Sequence, residues 1–97
     1  MFRRLFGGSK FLKKINTLLE LYGCTHNTEG TYKELLKLEI YIRTEGEKAL
    51  YDLNRASLLY DMGRYQEAYD ILLEIPRLNP ELNARCENLK NMIREEM

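Results

Sequence analysis

The chain reads as an all-α protein made of antiparallel helical hairpins. Three observations predict this. Apolar residues recur at spacings of three and four along most of its 97 residues, the mark of one helix face meeting a core. Two Thr-x-x-Glu pairs, Thr31 with Glu34 and Thr44 with Glu47, have the form of capping boxes that start helices. Glycine or proline follows several of the apolar stripes, where a helix is expected to stop.

Residues 1–8, MFRRLFGG, read as a short basic and aromatic arm. Ser9 then suits an N-cap. Phe11, Leu12, Ile15, Leu18, Leu19 and Tyr22 form one stripe, with Lys10, Lys13, Lys14, Asn16, Thr17 and Glu20 on the other face. Gly23 is expected to end this helix, and residues 24–30 are polar. Thr31 and Glu34 would open a second helix from Tyr32, carrying Leu35, Leu36, Leu38, Ile40 and Ile42. Leu36, Leu38, Ile40 and Ile42 also alternate as in a strand. The helical reading is preferred because no partner strand is found elsewhere in the chain.

Thr44 and Glu47 open a third helix whose stripe is Leu50, Leu53, Ala56, Ser57 and Tyr60, widened by Leu59. Gly63 breaks it. Tyr65, Ala68, Leu72 and Ile75 form the fourth stripe. Pro76 stops that helix, since proline lacks an amide hydrogen and biases the residue before it away from helical angles. Pro80 is expected to prevent an easy restart. Leu82, Cys86, Leu89 and Ile93, with Met92, form the last helix. Glu95 and Glu96 oppose its dipole and should fray its end.

Residues 49–82 resemble one tetratricopeptide (TPR) repeat, a family with a period of about 34 residues. Ala56 and Ala68 stand at the small positions where the two helices approach, and Gly63-Arg64-Tyr65 at the inter-helix turn. Leu59 and Leu72 stand at the large apolar positions, and Pro80 closes the unit. Arg55 departs from the pattern, where leucine is usual; its site is more exposed, or its stem covers apolar surface while its head reaches water. The pentad Gly30-x-Tyr32-x-Glu34 recurs 33 residues later as Gly63-x-Tyr65-x-Glu67. Residues 16–48 therefore resemble a degenerate first repeat, provided the first helix continues past Gly23. Glycine costs a helix interior about 1 kcal/mol relative to alanine.

The resemblance implies a right-handed superhelical stack over residues 9–97, closed by a C-terminal capping helix. It also implies a peptide-binding groove lined by Leu50, Leu53, Asn54, Ser57, Tyr60 and Asp61. The family's carboxylate clamp is matched only at Asn54. Leu53 stands where a clamp lysine would, and Ala84 and Asn88 replace basic residues. A scaffold of this kind serves many partners and does not name one.

The net charge is zero, which does not recommend nucleic acid as a partner. A chain this short buries a modest core, and solenoids usually need three or more units, so a protein or peptide partner or a second copy of the chain is expected. The alternative is a peripheral membrane protein. Five cations precede the first carboxylate, Glu20, and Phe2, Arg3, Arg4, Leu5, Phe6 and Lys10 would engage an anionic membrane or an acidic partner. Neither a secretory signal nor an apolar run of spanning length is present. Cys24 and Cys86 then read as reduced thiols in a cytoplasm. No metal, cofactor or catalytic motif is recognised. His26, the single histidine, lies in a polar turn two residues from Cys24, and no catalytic role is assigned to either.

Overall fold

The computed structural model describes residues 9–97. The arm comprising Phe2, Arg3, Arg4, Leu5 and Phe6 lies outside them. The described chain is helical, without a strand: α1 (Lys10–Thr25), α2 (Thr28–Leu36), a 3-10 segment (Lys37–Tyr41), α3 (Glu45–Asp61), α4 (Tyr65–Leu73) and α5 (Pro80–Glu96). It gathers into two compact units, one ending at Lys48 and the other Ala49–Met97.

In the first unit Ser9 caps α1, its hydroxyl accepting the Leu12 amide at 3.2 Å. Phe11 and Ile15 are fully buried. The helix does not stop at Gly23. It runs on to Thr25 and ends on His26 in the left-handed conformation (φ 54°), whose amide bonds the Tyr22 carbonyl. The helix thus persists past Gly23 to Thr25, two residues short of Asn27.

The next helix starts three residues before the expected Thr31. Asn27 is its cap, accepting the Gly30 amide at 3.1 Å, and Thr31 is buried inside the helix. Asn27 is a good N-cap in its own right, and Gly30 lets its side chain fold back. A Cβ at Gly30 would lie 2.5 Å from Asn27 Nδ2.

The segment expected to remain α-helical to Ile42 tightens after Leu36. At three residues per turn, Leu35, Leu38 and Tyr41 share one face. Leu35 and Leu38 are buried and Tyr41 is half-buried, while Leu36 and Ile40 are exposed. This tighter winding explains why the apolar spacing in the sequence fitted neither an α-helix nor a strand cleanly.

Thr44 caps α3 as expected, accepting the Glu47 amide at 3.0 Å. The expected stripe holds at Leu53, Ala56 and Leu59, but Ala49, Tyr51 and Leu58 are buried as well. The helix is covered on most of its surface, so a one-face reading found only part of its contacts. Arg55 is half-buried and bonded to Asp52 at 3.2 Å, with its guanidinium 5.6 Å from the centre of the Tyr51 ring.

Gly63 (φ 79°) ends the helix, and the Arg64 amide reaches back to the Leu59 carbonyl at 2.8 Å. This is the six-to-one bond of a Schellman end, which a glycine at this place allows. Within the second unit α4 packs on α5. Ala68, Leu72, Cys86, Leu89 and Ile93 are buried, and Arg94 donates to the Tyr69 hydroxyl at 3.0 Å. Pro80 opens α5 instead of blocking it. It is the first helical residue, where no amide hydrogen is needed, behind Asn79, which accepts the Leu82 amide at 2.8 Å.

The three long helices begin at Lys10, Glu45 and Pro80, 35 residues apart. Their capping residues Ser9, Thr44 and Asn79 keep the same step. The 33-residue Gly-x-Tyr-x-Glu match is therefore not the structural register. Gly30 lies within α2 and Gly63 within a turn, so that match pairs unlike positions.

Candidate binding groove

The second unit carries a groove of about 230 Å3 between α3 and α5. From α3 come Leu53, Asn54 and Ser57, three of the residues that the TPR resemblance assigned to a groove. Leu53 is buried and forms the apolar floor, while Asn54 and Ser57 are partly exposed. Asn54 Nδ2 donates to the Leu50 carbonyl one turn back at 2.9 Å. That bond holds the amide in place and leaves its carbonyl oxygen as an acceptor.

From α5 come Arg85, Asn88, Leu89 and Met92. Arg85 and Asn88 are exposed, and Met92 is 45% exposed. The resemblance puts Ala84 and Asn88, and not Arg85, at the clamp positions. A stripe through Leu82, Cys86 and Leu89 points inward, and the residue just before Cys86 falls at its border. That border position was the signal available in the sequence.

The other three expected groove residues are placed elsewhere. Leu50 is half-buried, and Asp61 is exposed at the end of α3. Tyr60 is half-buried, with its ring 5.6 Å from that of Tyr65 across the turn. Burial pushes the Tyr60 phenol above its ordinary 10.0, and Glu96, Tyr65, Asp61 and Glu95 push it the same way. It is therefore a neutral hydroxyl at physiological pH.

The groove offers an apolar floor, two side-chain amides, a hydroxyl and one guanidinium. Such a set can hold an extended peptide by its backbone, with a carboxylate facing Arg85. Burial raises the Cys86 thiol above its ordinary 9.0, and Cys24 is exposed. His26 is the residue that ends α1 and stands edge-on to the Tyr22 ring at 6.1 Å. Among the described residues no three His, Cys, Asp or Glu side chains come together where they could hold a metal ion. No helix among them is long and apolar enough to cross a membrane. Compared with known protein families, curated proteins and solved structures, the chain matches none.

Proposed function

We propose that this chain is a non-enzymatic protein-interaction module of TPR type, and that the groove between α3 and α5 receives an extended peptide from a partner. The observation that carries this reading is the meeting of Leu53, Asn54 and Ser57 with Arg85, Asn88 and Met92 around one concavity. Two regularities support it. Long and short helices alternate, at 16, 9, 17, 9 and 17 residues. The long ones step by 35 residues, close to the family's period of about 34. The right-handed superhelical stack and its capping α5 belong to the same proposal.

The test is a peptide library displayed against the purified chain, followed by titration of the selected peptides. Saturable binding of peptides with an acidic residue beside an apolar one is expected. Arg85→Glu should weaken it about tenfold, the loss of one charge-assisted contact. Gln66→Lys, outside the groove lining, should not. Selected peptides that bind Arg85→Glu equally well would refute the groove. A chain that selects no peptide but forms a dimer broken by Met92→Asp would mean that a second copy occupies the groove instead.

A further inference from the structure

A second concavity, in the first unit, concentrates positive charge in a chain whose net charge is zero. It measures about 460 Å3 and is lined by Ser9, Lys10, Tyr41, Arg43 and Glu47. Two ammonium groups converge on the Tyr41 ring: Lys10 Nζ lies 5.8 Å from its centre and Lys14 Nζ 4.9 Å. None of Lys10, Lys14 and Arg43 forms an ion pair among the described residues.

This placement works against the chain's own stability. Lys10 and Lys14 are like charges four apart on one helix, which repel. Both stand in or beside the first turn of α1, where no acidic residue balances them and the helix dipole disfavours cations. The Tyr41 ring offsets part of that cost by a cation–π contact with each of them.

Glu47 is the single carboxylate of the lining, and both its oxygens are engaged. Oε2 accepts the Ser9 hydroxyl at 2.6 Å and Oε1 the Arg43 amide at 2.8 Å. The lining itself sets two cations, Lys10 and Arg43, against one carboxylate, a net of one positive charge, and Lys14 on the Tyr41 ring adds a second from outside the lining. A phosphate monoester carries close to two negative charges near neutral pH.

The geometry points to this concavity as a binding site for a phosphate monoester group, held by Lys10, Lys14 and Arg43 around Tyr41. The inference is independent of the groove between α3 and α5. The group is supplied by a soluble phosphorylated compound or by a lipid headgroup.

The full chain is titrated with glycerol 3-phosphate at low salt, following amide resonances by NMR, and separately with phosphatidylcholine vesicles with and without phosphatidic acid. Saturable binding is expected, with shifts centred on Lys10, Tyr41 and Arg43, weakening as salt is raised. Lys10→Gln with Lys14→Gln should weaken it at least tenfold, and Arg43→Gln severalfold. Lys33→Gln, on the exposed side of α2, should leave it within twofold. Binding of the soluble ester assigns a free ligand. Binding confined to phosphatidic acid vesicles, with the same loss in the double variant, assigns a headgroup. No saturable binding of either probe, or equal binding by the double variant, overturns the site.

Discussion

The Ser9 hydroxyl donates to the Glu47 carboxylate at 2.6 Å across 38 residues of chain. Each of the two residues also serves a helix start. Ser9 caps α1, and Glu47 sits in the first turn of α3, with its amide on Thr44 and its other oxygen on the Arg43 amide. One buried carboxylate thus ties two helix beginnings together. Glu47→Ala removes both acceptors and leaves donors without a partner, at a cost of about 2–3 kcal/mol. Ser9→Ala loses the cap as well, costing about 1–2 kcal/mol. The two losses should couple by at least about 0.5 kcal/mol, since the residues share a bond. Urea melts of both single variants and the double variant measure this, and strict additivity would contradict it.

Three glycines that look alike in sequence should respond differently to alanine. Gly63→Ala should destabilise by about 1 kcal/mol, because its φ of 79° disfavours a side chain. Gly30→Ala should cost a similar amount, about 1 kcal/mol, by pushing the Asn27 cap aside. Gly23→Ala should stabilise by about 0.5–1 kcal/mol, since it lies within α1 and an added Cβ meets nothing within 4 Å. Thermal melts of the three variants give the order. A destabilising Gly23→Ala would contradict the continuous helix.

The two thiols should differ in reactivity. Cys24 is exposed, whereas Cys86 is buried and its thiol is held above the ordinary range by that burial. A thiolate-specific reagent at pH 8 should label Cys24 within minutes and Cys86 only when the chain unfolds. Mass spectrometry after a timed pulse distinguishes them. Labelling of both at one rate would contradict the packing around α5.

Alkaline pH should weaken the fold. Tyr60 and Cys86 both have folded pKa values raised above their ordinary 10.0 and 9.0. Their contribution is fully present below the unfolded values. It is lost as pH rises through the higher folded ones, because the unfolded chain ionises first. Stability should therefore begin to fall above about pH 9. Tyr60→Phe with Cys86→Ala should flatten the decline above pH 9, whatever its effect at neutral pH. An unchanged slope between pH 9 and 11 would argue against these environments.

Much of the helical architecture was legible because α1, α4 and α5 each bury one stripe, which periodicity detects. Ser9 was legible as a good cap directly ahead of a clean stripe, and Thr44 through Glu47 three residues on. The start of α2 was not, because the Thr31–Glu34 pair mimics a cap while the actual cap is Asn27. Choosing between them depends on Gly30, whose missing Cβ makes room for the Asn27 side chain. Pro80 is ambiguous for a related reason: proline marks the first residue of a helix as well as a break. Of the groove, Leu53, Asn54 and Ser57 came from the resemblance. Arg85 did not, since it stands at the edge of a stripe and belongs to a helix distant in sequence. The pairing of Ser9 with Glu47, and of Lys10 and Lys14 with Tyr41, depends on a fold that brings distant residues together, which no local pattern encodes.

A constant step between Ser9, Thr44 and Asn79 makes the chain divisible. A cut before Thr44 and another before Asn79 lift out a segment that carries its own helix start and ends where the next begins. Genetic copying or loss of 35 codons at these joints leaves the remaining long helices with their caps.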